Sequence, residues 1–256
     1  MHAVRCNTLW IGPRLGRVER ACLRSVLQQG HPVSLYCYER PEGVPEGVEL
    51  CDAAAVLPQA SIMRHQGGSV ALFANWFRYE LQCRKKGIWL DTDIYLLAPL
   101  PDDRPILFGW QEPGLIATAV LKLPTDTPLL PPLLSLFEER EIPFWLQPDE
   151  RLAAWLRRRL TGRTGLSRMP WGSAGPNAVT ALAVRHGLVG EALPVESFYP
   201  IHHHDARWLL DPARSLDSMI APTTIAIHLW NEVIKGFKDA PAPSGSFLHR
   251  LHEEGA

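Results

Sequence analysis

The stretch from Gly87 to Leu97, GIWLDTDIYLL, runs apolar residues up to two carboxylates, Asp91 and Asp93, separated by one threonine, and then resumes them. The apolar part reads as a buried strand. Immediately before it, Ser69 to Lys86 (SVALFANWFRYELQCRKK) repeats Phe73, Phe77 and Leu81 at helical spacing. Gly87 supplies a C-terminal stop, and Arg84, Lys85 and Lys86 give the last turn the sign that suits the helix dipole. A helix followed at once by a strand places the acidic pair at or just beyond the strand's C-terminal end. Ligands of open α/β sheets collect at that edge.

The rest of the chain fits the same class. VRCNTLW reads as a first strand, and Val18, Ala21, Cys22, Val26 and Leu27 as one face of a helix closed by Gly30 and Pro32. PVSLYCY is a second strand, and the loop PEGVPEGVEL leads to a third short element at Val48 to Cys51. Further on, ILFGW, LIATAVLKL and TIAIHLW read as strands, and PLLPPLLSLFEER, DERLAAWLRRRL and GPNAVTALAVRHG as helices. The expectation is one α/β domain over residues 1–256, with a Rossmann-like nucleotide-binding half at 1–110 and a more helical half at 111–256 that faces the acceptor.

Charge and cysteine content narrow the function classes. The 26 Lys+Arg nearly cancel the 27 Asp+Glu, so no global field recruits nucleic acid, and an anionic ligand needs a local site. Five scattered cysteines, none in a C-x-x-C spacing, argue against a disulfide framework and a structural zinc site, and a reducing, cytoplasmic compartment fits them. The N-terminus lacks the apolar core of a signal peptide, and no apolar run approaches the roughly 20 residues that span a bilayer.

An Asp-x-Asp at a strand end offers oxygen donors to Mg²⁺ or Mn²⁺ while leaving coordination positions for phosphate oxygens. The competing reading is a surface turn with two solvated aspartates, and the flanking apolar runs count against it. Asn75 and Arg78 stand three apart, so they share a helical stripe that Gln82 continues, opposite the Phe73 and Phe77 face. Two other clusters read as bland. His202, His203 and His204 on an extended chain would point in alternating directions and suit a surface or acceptor-side loop. Arg157, Arg158 and Arg159 suit the solvated face of a helix.

The block ALFANWFRYELQCRKKGIWLDTDIYLLAPL resembles the DXD-containing sugar-binding region of family-32-type glycosyltransferases, which include bacterial capsular galactosyltransferases and fungal initiating mannosyltransferases. It is similar, more distantly, to the glucosyltransferase domains of large clostridial toxins. NTLWIG, WGSAGPNAVT, FYPI and AIHLWNE resemble further blocks of that family, in the same order. The resemblance implies a GT-A fold, a nucleotide-sugar donor, a divalent cation (Mn²⁺ or Mg²⁺) and transfer with retention of anomeric configuration.

By that resemblance Asp93 coordinates the metal directly, and Asp91 lies nearer the ribose or donor sugar and reaches the metal through water. Asn75 and Arg78 match a D-x-x-R pair that contacts donor-sugar hydroxyls, with Asn75 standing where many members have Asp. Trp10 matches a base-stacking aromatic and Trp89 a donor-pocket aromatic; core packing is the alternative for both. His228 and Asn231 are the C-terminal metal or phosphate candidates, and Trp230 is a candidate N–H donor to the diphosphate. Arg78 or Trp230 would assist the departing phosphates, with front-face attack by an acceptor hydroxyl.

The donor implied first is a UDP-hexose, with GDP-mannose second. The acceptor is a glycan, lipid-linked or small-molecule hydroxyl in polysaccharide biosynthesis, with peripheral contact at the inner membrane face. Two alternatives remain at this level: a haloacid-dehalogenase-like phosphatase using the same D-x-D, and a nucleotide-sugar-binding protein without turnover.

Overall fold

The computed structural model describes residues 3–66 and 68–256, so Met1 and His2 of the N-terminal stretch lie outside it. Its front half is built as the alternation of apolar runs predicts. Strand β1 (Cys6–Trp10) leads to helix α1 (Arg17–Gln28), strand β2 (Val33–Cys37) and strand β3 (Val48–Asp52), all three strands being parallel. Gly30, at φ 81°, turns the chain out of α1 at no steric cost.

Helix α2 (Ala71–Cys83) and strand β4 (Ile88–Leu90) come next, and β4 returns to the opposite side of β1, again parallel. The α2 boundaries are tighter than Ser69 to Lys86. Its end is a Schellman turn in which Lys86 N–H donates to Leu81 O and Lys85 N–H to Gln82 O, with Lys85 left-handed at φ 54°. The basic triplet therefore lies past the last turn of the helix. Gly87 adds a second left-handed position, at φ 108°; a Cβ there would come 2.3 Å from Arg5 O.

After β4 the chain makes strands β5 (Ile94–Leu96), β6 (Trp110–Glu112), β7 (Leu115–Ile116) and β8 (Val120–Leu121). The five-stranded sheet has the order β3-β2-β1-β4-β8, with β8 antiparallel to β4. ILFGW and LIATAVLKL are therefore not continuous strands. Of the first only Trp110 lies in a named strand, and the second is interrupted at Ala117 to Ala119. The interruption has a cause: Thr118 O accepts from Arg78 and Ala119 O accepts from Asp91 N–H, so this backbone serves the sheet edge.

The remaining elements are α3 (Leu130–Ser135), α4 (Pro148–Thr161), α5 (Pro176–Arg185), α6 (Val195–Phe198), β9 (Ala226–His228), α7 (Asn231–Ile234) and α8 (Phe247–Glu254). Strand β9 pairs antiparallel with β5, and β6 with β7.

Alternation along the strands divides the core between two faces. Cys6, Val33, Leu35, Ile88, Leu90 and Val120 pack on the α1 side, while Leu9, Tyr36, Trp89 and Leu121 pack with Phe73, Phe77 and Leu81 of α2. A third cluster joins α1 to α8 through Val18, Ala21 and Leu251 and takes in Tyr95 and Ile227 from the β5–β9 ribbon. The C-terminal segment thus packs on the first helix. It is an α/β fold with a mixed, mainly parallel central sheet covered on both faces.

Candidate functional site

The chain order of the sheet locates the site. From β1 the succession runs outward to β2 and β3 on one side, and β4 enters on the other, so β1 and β4 flank the point where strand order reverses. Loops leaving two such strands diverge and open a crevice between them. Trp10 ends β1, and Asp91 directly follows β4. A cleft of about 740 Å³ opens there, and its walls include Trp10, Asn75, Arg78, Asp91, His203 and Trp230. That volume lies in the range of small-molecule pockets.

Asp91 is fixed from three directions. Its N–H donates to Ala119 O at 2.8 Å, and its Oδ1 accepts from Trp89 Nε1 at 2.6 Å and faces Arg78 Nη2 at 3.1 Å. Arg78 is 3% exposed, yet its guanidinium donates to Ala74 O and Thr118 O and lies 4.9 Å above the Trp89 ring. The Trp89 ring is therefore core on one side and a support for both Asp91 and Arg78. Gln82 continues the stripe only as structure: it accepts from Leu123 N–H and donates to Gly87 O. Both stripes of α2 are buried, so the expected contrast between them is one of chemistry and not of exposure.

Asp93 sits deeper, at 5% exposure. Pairing of β5 with β9 sets Ile94 opposite His228, which brings His228 Nε2 to 3.2 Å from Asp93 Oδ2. Trp230 then takes a left-handed conformation, φ 60°, and turns the chain so that Asn231 N–H donates to the same Oδ2 at 2.6 Å. Ligand atoms of Asp91, Asp93 and His228 all lie within 4.8 Å of one another. His228 Nδ1 is buried and has no hydrogen-bond partner.

Two of the C-terminal expectations need correction. The Trp230 indole N–H donates to Ile201 O at 2.8 Å, which commits it away from any diphosphate, although its ring lies tilted at 52° with its centroid 4.1 Å from that of His228 and walls the cleft. The Asn231 amide oxygen accepts from Lys238 Nζ at 2.6 Å, so Asn231 reaches Asp93 through its backbone and not as an oxygen ligand. Lys238 in turn is paired with Glu19, which is fully buried on α1. Sequence reading missed Lys238, Glu19 and the carbonyls of Thr118 and Ala119.

Trp10 is half-buried on the cleft wall, and its Nε1 has no protein partner. Asn75 lines the same wall from α2. Gly175 at the start of α5 lets the backbone press against it: a Cβ at Gly175 would stand 2.9 Å from Asn75 Nδ2. Tyr79, donating to Ala174 O at 2.9 Å, ties the same loop to α2.

His202 is extended and caps a 3₁₀ segment at His203 to Leu210, so the run does not continue extended past it, and the three ring centroids lie 4.0 to 4.8 Å apart. His202 is spoken for at both nitrogens, Nε2 with Glu112 Oε2 at 2.9 Å and Nδ1 with His204 N–H at 3.3 Å. His203 alone of the three joins the cleft wall, with its ring 5.6 Å from Trp230.

Charge is unevenly held across the trio. Burial opposes ionisation of Asp93, but the His228 charge, the hydrogen bond from it and Asn231 N–H overcome burial and hold Asp93 below the usual carboxylate range. Burial also opposes charge on His228, and the Asp93 and Asp91 carboxylates overcome it, raising the imidazole above its ordinary value. Asp91 is raised: burial pushes it up, Arg78 resists, and the Asp93 carboxylate adds to the push. Two neighbouring carboxylates, one held ionised and one pushed toward its proton, form a site that a cation would relieve.

The sign for stability follows from His228. Its folded pKa lies above its unfolded value of about 6.5, so its stabilisation is full below that pH and is lost as pH rises through the folded value. In metal-free protein, the melting-temperature advantage of wild type over His228→Gln is expected to be largest near about pH 6 and to shrink toward about pH 9. Thermal melts across that range check it; an advantage that grows with pH contradicts the pairing.

A scan of protein-family models returns no match for this chain, and a search of curated proteins returns none either.

Proposed function

We propose that this chain is a divalent-metal-dependent, retaining glycosyltransferase of GT-A type. It would take a nucleotide sugar, a UDP-hexose before GDP-mannose, and deliver the sugar to a hydroxyl of a glycan, lipid-linked or small-molecule acceptor. The observation that carries the reading is the convergence of Asp91, Asp93 and His228 within 4.8 Å at the switch point of a mainly parallel sheet, beneath a cleft of about 740 Å³. It agrees with the resemblance of five sequence blocks to family-32-type enzymes.

The residues fit Mn²⁺ or Mg²⁺: two carboxylates and an imidazole, with ligand atoms within 4.8 Å of one another, form a mixed oxygen and nitrogen donor set, and His228 turns its Nε2 toward Asp93. When bound, the cation supplies charge neutralisation for the phosphates of the leaving nucleoside diphosphate. The chain's own residues do the positioning. Asn231 N–H and His228 keep Asp93 ionised and fixed. Trp89 and Arg78 hold Asp91 in one orientation, and with its donors committed to Ala74, Thr118 and Asp91, Arg78 acts on the donor through Asp91 and through its charge. Asn75 offers an uncharged amide to sugar hydroxyls, and the Trp10 face offers stacking for a base.

A thermal-shift screen of nucleotide sugars with and without Mn²⁺ tests the reading. Stabilisation by one donor class that requires Mn²⁺, followed by transfer to an acceptor hydroxyl, is the expected result. Indifference to every nucleotide sugar would overturn it. Tight donor binding without transfer or donor hydrolysis across a broad acceptor panel favours a binding protein, and turnover of a simple phosphomonoester through Asp91 favours a phosphatase.

A further inference from the structure

Helix α4 carries its apolar residues on the wrong side for a core. Its ends are set locally: Gln147 and Glu150 form a capping box, Pro148 occupies the first turn, and Gly162 closes the helix at φ 78°. Against the body of the protein it fully buries only Ala154. Leu152, Trp155, Leu156 and Leu160 are 57%, 47%, 48% and 84% exposed. Their spacing of i, i+3, i+4 and i+8 gathers them on one outward stripe, about 12 Å long at 1.5 Å per residue. Single exposed leucines are ordinary, but four large apolar residues on one stripe of one helix are a surface.

Charge indicates the partner. Arg151, Arg158 and Arg159 are exposed on the same helix, and among the described residues none is paired with a carboxylate. Arg159 falls within the apolar stripe itself, its guanidinium 5.7 Å from the Trp155 ring centroid. In the dry centre of a protein interface that cation would need a carboxylate. At a bilayer surface the requirement is met differently, because an indole and a guanidinium sit at headgroup depth with leucines below them and lipid phosphates beside them. Arg157 is the exception in the basic run: it is half-buried and folds over Gly165, where a Cβ would lie 3.0 Å from its Cδ.

We infer that α4 is a docking surface for an anionic lipid bilayer, with Leu152, Trp155, Leu156 and Leu160 inserted at the interface and Arg151, Arg158 and Arg159 on the phosphates. The surface is independent of the cleft chemistry, so it can stand or fall apart from the proposed transferase activity.

Flotation of the full chain with phosphatidylcholine vesicles, and with vesicles containing about 30% phosphatidylglycerol, tests it. Binding to the anionic vesicles is expected to exceed that to the neutral ones by about tenfold or more and to collapse in molar salt. Trp155→Ala/Leu160→Ala and Arg158→Gln/Arg159→Gln are each expected to lose about tenfold of the anionic binding. Both pairs are exposed, so their melting temperatures and nucleotide-sugar thermal shifts should match wild type. Failure of the wild type to float, or retention of binding by both variants, overturns the inference. So does a concentration-dependent dimer that Trp155→Ala/Leu160→Ala abolishes, since that outcome makes the stripe a protein interface.

Discussion

Replacing Asp93 with alanine is expected to lower kcat/KM for sugar transfer by about 10³-fold or more and to abolish the Mn²⁺-dependent thermal shift. The size follows from what the side chain gathers. Its Oδ2 accepts from Asn231 N–H and faces His228 Nε2, so its loss removes the best-ionised ligand atom and releases two neighbours that it holds in place. Asp93→Asn preserves the shape while removing the charge, and should be nearly as damaging if charge is what matters. Steady-state assays with saturating metal check both; transfer within tenfold of wild type in Asp93→Ala would remove this residue from the chemistry.

The second large effect is on stability. Arg78→Ala is expected to cost about 3 kcal/mol, near the lower end for breaking a buried ion pair because Asp91 keeps some contact with solvent. The arginine is 3% exposed, and its removal leaves Thr118 O without this donor and Asp91 without its counter-charge, only the Trp89 N–H remaining on the carboxylate. A loss of that size corresponds to a melting temperature lower by roughly 6–12 °C. Arg78→Ala/Asp91→Asn should recover part of it, since the second change removes the stranded carboxylate, and a double-mutant cycle by urea denaturation measures the coupling. Full additivity would show that the two side chains do not depend on each other.

Sequence and structure agree where the information is local. The first three strands, α1 and α2 follow from period-2 and period-3.6 patterns closed by glycines and by Pro32, and the position of Asp91 just after β4 follows from the helix-strand succession. The alternation that places Trp89 on the α2 face is likewise written in IWL. Long-range partnerships were not legible. Nothing near Arg78 announces that its donors go to Thr118, 40 positions on, and nothing near Asp93 announces Asn231, 138 positions on. Those two contacts also explain the two misread segments. The backbone of LIATAVLKL leaves the strand path to offer carbonyls to the site, and Trp230 spends its indole on Ile201 because a left-handed turn is needed there to bring Asn231 N–H inward. Of His202 to His204, the extended geometry holds at His202, and His203 and His204 turn into a 3₁₀ segment that the run of histidines itself does not announce.

The claim on which the proposal rests is that Asp91, Asp93 and His228 together hold a divalent cation against a nucleoside diphosphate. Crystals grown with Mn²⁺ and UDP, measured at the manganese absorption edge, test it most directly. An anomalous peak within coordination distance of Asp93 and the diphosphate, with His228 or Asp91 completing the contact, is the predicted result. Nucleotide bound elsewhere, or Asp93 still paired with His228 and Asn231 N–H with no manganese beside it, would contradict it.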